Sequence, residues 1–225
     1  SGGLGTGQIS AAGGGVGASS AGVSVGNTFV LGAGGLTAGG NQDFTLSGLL
    51  TGSGRLAVAS TGVVTLTGSN DYAGGTTVMS GATLKGDANS LRGSFVNNGT
   101  VVFSSAANGT YAGMMSGTGD LSKQGSGTLS IAATLNHQGN TAIEAGVLRV
   151  APGGSLAGSS RVTLNAGAVL DISSGSGQTV NGLAGSGGVV SLGANTLTLQ
   201  NTSAAVFSGM IDGTGGLIKT GLLKQ

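Results

Sequence analysis

Apolar and polar residues alternate along this chain in short bursts. Val64 and Leu66 flank Thr65, Leu129 and Ile131 flank Ser130, Val162 and Leu164 flank Thr163, and Leu197 and Leu199 flank Thr198. Period two over so few residues marks a strand with one face buried. Between the bursts stand Gly74-Gly75, Asn97-Asn98-Gly99, Asn108-Gly109, Asn181-Gly182 and Gly187-Gly188. Such pairs accept positive φ without strain and so predict turns. No segment sets apolar residues at i, i+3, i+4 and i+7 behind a cap, so almost no helix is expected.

The bursts recur on a longer scale. Gly48-Leu-Leu-Thr-Gly-Ser-Gly54 returns 65 residues later as Gly113-Met-Met-Ser-Gly-Thr-Gly119, and 96 residues after that as Gly209-Met-Ile-Asp-Gly-Thr-Gly215. Phe44, Tyr111 and Phe207 stand just ahead of the three copies. The copies are placed near residues 48–86, 113–150 and 209–225, the last cut off by the end of the chain. A repeated unit cannot bury its apolar face alone and must stack on its neighbours. With ~20–25 residues per coil, the spacings read as about three and between four and five coils.

The predicted fold class is therefore all-β, a right-handed single-stranded parallel β-helix (β-solenoid) of about ten coils. Residues 1–225 are read as one such segment. The hand follows from the crossover rule for parallel strands. At ~4.8 Å per stacked strand, ten coils make a rod of about 45–50 Å. A membrane barrel fits worse, since its strands run to ~9–11 residues between aromatic girdles.

Composition supports a packed stack. Of 225 residues 50 are Gly, one is Pro and none is Cys. Glycine is at about three times its usual share, without the three-residue period of collagen. Mean hydropathy is +0.32 and 7% of residues are charged, the reverse of a disordered chain. The net charge of +1 offers a polyanion nothing to grip, so no nucleic-acid partner is expected. The absence of Cys removes disulfide and thiolate-metal chemistry. Gly, Ser, Thr and Asn break every apolar run short of a membrane span. No basic n-region and apolar h-region open the chain, and its stop inside a repeat reads as an excised fragment.

At Gly52 to Leu84 the run GSGRL, GVVTLTGSNDYAGGTTV and GATL resembles the passenger-associated transport repeat of bacterial autotransporters. Asn70, Tyr72, Gly74, Gly75, Thr76 and Val78 stand in that family's turn and following strand. Gly117, Thr118, Gly119, Leu121, Lys123, Gly125, Gly127, Thr128 and Leu129 match the opening of the second copy, and Gly146, Leu148 and Val150 its close. Its middle departs: Asn136-His-Gln-Gly-Asn-Thr141 lacks the Tyr and one Gly, which sets His137 at the Asp71 position. The third copy matches through Gly213, Thr214, Gly215, Leu217, Lys219 and Gly221. The resemblance implies a passenger with a β-helix stalk, exported across the outer membrane of a Gram-negative bacterium and exposed at the cell surface or secreted. It implies a C-terminal translocator β-barrel as partner in the parent protein. A host surface glycan or protein, or another copy of the chain, is the alternative partner if the flank of the stalk is itself an adhesin or self-association module.

No catalytic, cofactor-binding or metal-binding residue is assigned from the sequence, and no enzyme activity is expected. The carboxylates Asp43, Asp71, Asp87, Asp120, Glu144, Asp171 and Asp212 are spread along the chain and read as solvated outward positions, Asp171 among them. A polysaccharide lyase or hydrolase would need three or more of them to converge in one groove. His137 is the sole histidine and reads as an exposed turn residue. Gly213 to Thr220 imitates a phosphate loop, but Ile218 replaces the Gly before Lys219 and no strand–loop–helix context follows. The calcium nonapeptide fails because Asp120 directly follows Gly119 and the motif does not recur in tandem. Two Thr pairs, Thr65/Thr67 and Thr196/Thr198, are too few for an ice-binding ladder and read as ordinary outward strand positions.

Overall fold

The computed structural model describes residues 4–200 and 204–220. These residues form short strands and no helix, and the paired strands stack in parallel as a β-solenoid of about ten turns. Strands run from two residues (Met115–Ser116) to five (Thr100–Ser104). They stay short because glycine corners interrupt the alternation that makes them. The chain divides into two compact units, residues 1–103 and 104–225.

In the first unit each turn contributes to stacked parallel sheets. One runs through Val23–Val25, Phe44–Leu46, Val63–Leu66, Thr83–Gly86 and Thr100–Ser104. A second runs through Gly14–Val16, Leu36–Ala38, Leu56–Val58, Thr76–Val78 and Phe95–Asn97. The register sets Phe44 against Val64, Val64 against Leu84 and Leu84 against Val101. All four are buried. The inward positions of successive strands thus form one apolar column, and the residues between them, Thr45 and Thr65, face outward and remain half-exposed.

The second unit repeats the scheme. Leu129, Leu148, Leu170 and Val190 align in register and are buried. A second sheet runs through Asp120–Gln124, Asn140–Ile143, Arg161–Leu164 and Leu183–Ala184. One turn spans between 17 residues (Thr83 against Thr100) and 22 (Leu148 against Leu170). Most turns take 20–22 residues, within the ~20–25 expected from known repeat periods, and the 17-residue turn falls short of it.

Two kinds of glycine corner appear where the sequence predicts one. Gly75 and Gly188 take positive φ, at 71° and 85°, as a turn residue without Cβ can. Gly99 does not. It is required for room: a Cβ there would collide with the carbonyl oxygens of Ala82 and Met79.

Candidate functional site

Part of the polar chemistry of this chain lies inside the stack, notably at the corners of the two fuller repeats. In the first, Tyr72 is buried and its hydroxyl pairs with Thr76 Oγ1 at 2.5 Å. Burial pushes the phenol up to about 12, against the opposing hydrogen bond from Thr76. In the second, His137 stands four residues before Thr141, as Tyr72 stands four before Thr76, and its Nε2 lies 3.0 Å from Thr141 Oγ1. His137 therefore occupies the place of Tyr72, not that of Asp71. The expectation of an exposed turn residue is also overturned, since the ring is wholly buried. The missing Gly misled the alignment: Asn140 holds the position of Gly75, so the turn keeps its length.

Side-chain amides, buried at Asn70 and Gln178 and half-buried at Asn195, join one turn to the next. Asn70 accepts from Leu50 N at 2.8 Å and donates to Ser90 O at 2.9 Å, bonding 20 residues in each direction. Gln178 accepts from Leu156 N at 3.2 Å and donates to Ser176 O at the same distance. Asn195 donates to Ile172 O at 2.8 Å, one turn away. Each of these satisfies main-chain groups that a corner leaves outside the ladder, and an unpaired buried main-chain group is costly.

Lys123 is the most unexpected side chain. It is 2% exposed, and its ammonium donates to the carbonyls of Gln124, Gly125 and Ala145 at 3.0, 2.8 and 3.0 Å. Three donors meet three acceptors, which is what allows a charge to be buried. Burial lowers its pKa from the ordinary lysine value. Its strand matches Leu56–Val58 of the first repeat, where the buried Val58 stands instead. Period two alone gives no sign of this, because an inward position in a strand is expected to be apolar.

The carboxylates do not gather. Among the described residues no group of three or more His, Asp or Glu sits where it could hold a metal ion. Several are coupled to the adjacent turn. Asp43 accepts from Val63 N and Asp120 from Asn140 N, both at 2.7 Å. Glu144 accepts from Ser122 Oγ at 2.6 Å and Gln124 Nε2 at 3.1 Å. Asp171 departs from the solvated position expected of it: it is largely buried and pairs with Arg149 at 2.8 Å. Burial alone would raise its carboxyl, but hydrogen bonds from Ser173 and Arg149 outweigh it and hold the pKa below the usual value. Alternation sets Asp171 between the apolar Leu170 and Ile172 but gives no sign of the Arg one turn below that covers it. In the third copy Leu217 and Ile218 are exposed, and residues beyond Thr220, Gly221 included, lie outside the described part of the chain.

A stack of parallel turns, closed by buried hydroxyls and amides, defines a repeat protein of the β-solenoid class. The passenger-associated transport repeat family matches residues 56–85 and 121–150, which contain the Tyr72 and His137 corners. The adhesin BmaC autotransporter of Brucella suis biovar 1 is 32% identical over 238 aligned positions that take in 86% of this chain. A protein of Enterobacter cloacae named 16S rRNA endonuclease CdiA is 36% identical over 52% of the chain. The chain spans 7% and 4% of the lengths of these two relatives. No solved structure gives a significant match. The chain is a segment of an autotransporter passenger carrying passenger-associated transport repeats. It belongs with surface-exposed or secreted passengers.

Proposed function

We propose that this segment is a stalk of the passenger that supports its export and folding and holds an effector or adhesive region away from the surface. The observation that carries this reading is the turn-to-turn pairing. Each turn's main-chain groups and its amide staples find partners about one turn back, as Leu56 does on Leu36 and Asn70 on Leu50. A turn that has formed is therefore the template for the next, and stability accumulates by nearest neighbours. A chain that emerges unfolded through a pore would be retained outside by each turn it completes. The partner implied is a C-terminal translocator β-barrel in the parent protein.

The test is made in that parent. Leu84→Asp places an unpaired charge in the apolar column, a change that costs several kcal/mol in a packed interior. The expected result is a severalfold loss of protease-accessible passenger at the cell surface, with the amount of assembled barrel unchanged. Surface display at the unmodified level would defeat the stalk reading.

A second reading draws on the relative named an adhesin: the flank of the stalk itself adheres, or pairs with another copy. Outward hydroxyls at Ser24, Thr45 and Thr65 stand in register on one sheet and could hydrogen-bond a host glycan or a second stalk. Binding of the purified chain to host matrix, lost when that column alone is replaced by Ala, would favour it.

A further inference from the structure

His137 is the chain's one histidine, and it closes the corner between Leu135, which bridges to Met115, and the strand Asn140–Ile143. Its Nε2 is 3.0 Å from Thr141 Oγ1 and 3.4 Å from Ser159 Oγ, and the two hydroxyls are 2.7 Å apart. Thr141 and Ser159 are themselves fully buried. Nδ1 is buried too, and nothing bonds to it.

A neutral imidazole carries one N–H and one bare nitrogen. The cluster satisfies the tautomer with its proton on Nε2, donated to Thr141, while only a lone pair is left unmet at Nδ1. Protonation adds an N–H at Nδ1, where no acceptor exists, and puts a charge among buried side chains. Both penalties fall on the folded state and vanish when the ring reaches water.

The charged groups on the neighbouring strands do not rescue the cation. They are Asp120 and Lys123 on one side, Arg161 on the other, and Glu144 after the ring's own strand. Asp120 favours protonation, yet burial outweighs it and pushes the ring down to about 4. The Asp120 carboxylate already accepts from Asn140 N, Glu144 is engaged by Ser122 and Gln124, Lys123 is tied to its three carbonyls, and Arg161 donates to Ala204 O. In the first repeat the same place is filled by Tyr72 on Thr76, a pair that does not titrate in acid.

We propose that His137, with Thr141 and Ser159, is an acid-operated release in the second repeat: in mildly acidic medium the protonated ring leaves the core and residues 134–160 open, while the first repeat, closed by Tyr72, stays shut. The sign follows from linkage. The open state binds a proton near the ordinary histidine value of ~6.5 and the closed state only near 4, so the closed state is favoured fully above ~6.5 and progressively less as the pH falls toward 4. A passenger at the cell surface or in the medium meets such a pH directly.

Hydrogen exchange of the 225-residue chain, read by mass spectrometry at pH about 7.5 and about 4.5 and corrected for the intrinsic pH dependence of exchange, tests this. Protection over residues 134–160 should fall between about tenfold and a hundredfold in acid, while residues 68–95 keep theirs. His137→Tyr should abolish the fall. An equal change in both repeats, or no change in either, would overturn the proposal. If His137→Tyr fails to fold, NMR of the lone imidazole in the unmodified chain decides: its signal should stay at the neutral position through pH ~6.5 while the fold holds. Titration there with the fold intact would also overturn it.

Discussion

Asn70 shows what a single buried amide does in a stack of parallel turns. With Oδ1 on Leu50 N and Nδ2 on Ser90 O, it ties the turn behind to the turn ahead. Asn70→Ala leaves one buried N–H and one buried C=O without partners, each costing about 1–3 kcal/mol. The expected loss is about 2–4 kcal/mol of unfolding free energy in urea titration, and a change under about 0.5 kcal/mol would show that water replaces the amide. The sequence marks Asn70 as part of the repeat's turn but not as an interior residue. The period-two alternation that orients a strand residue stops at the turn, so no rule of position tells in from out there. The same gap concealed His137. Lys123 was concealed differently: its strand position was legible, but three carbonyls that only the fold brings together are what make a buried ammonium tolerable.

At the level of strands and corners, most of the architecture was readable. The alternating runs at Val64, Leu129, Val162 and Leu197 are strands with the expected faces inward. Most corners fall where the sequence sets them, although Gly109 opens the strand Gly109–Tyr111 and the bend lies just before it; why each needs glycine is only partly legible, because space between turns is a tertiary property. Two substitutions separate the causes. Gly54 lies outside the positive-φ region, and a Cβ on it would strike the Gly32 carbonyl of the preceding turn. Gly81 has φ of 80° and nothing within 4 Å of its Cβ position. Gly81→Ala should cost about 1–2 kcal/mol of backbone strain. Gly54→Ala must force main chain from main chain and should lower the melting temperature at least twice as far. Equal shifts for the two would mean that the turns can separate without penalty.

Over the molecule as a whole the governing quantity is the number of residues per turn. In the first unit Leu36, Leu56 and Thr76 succeed one another in register at intervals of 20 residues, and Phe44, Val64 and Leu84 do the same. Excising residues 56–75 should therefore bring Thr76 onto Leu36 and Leu84 onto Phe44, with apolar columns intact. That shortened chain is expected to keep its β-type far-ultraviolet circular dichroism and a cooperative melt. Excising only residues 56–65 sets strands against corners and should abolish both. If the half-turn deletion folds as well as the full-turn one, register does not govern the stack.

The main-chain ladder has a consequence at the level of the gene. Hydrogen bonding between turns is indifferent to which side chains a turn carries, so long as its corners fall in step. A slip in copying that adds or drops about 60 base pairs, one turn of this first unit, yields a protein that still folds, and a slip of half that length yields waste. Selection on such a gene is thus offered changes of reach in whole steps, with the sequence of each new step free to drift afterwards, as a phenol and an imidazole have come to stand in one and the same niche.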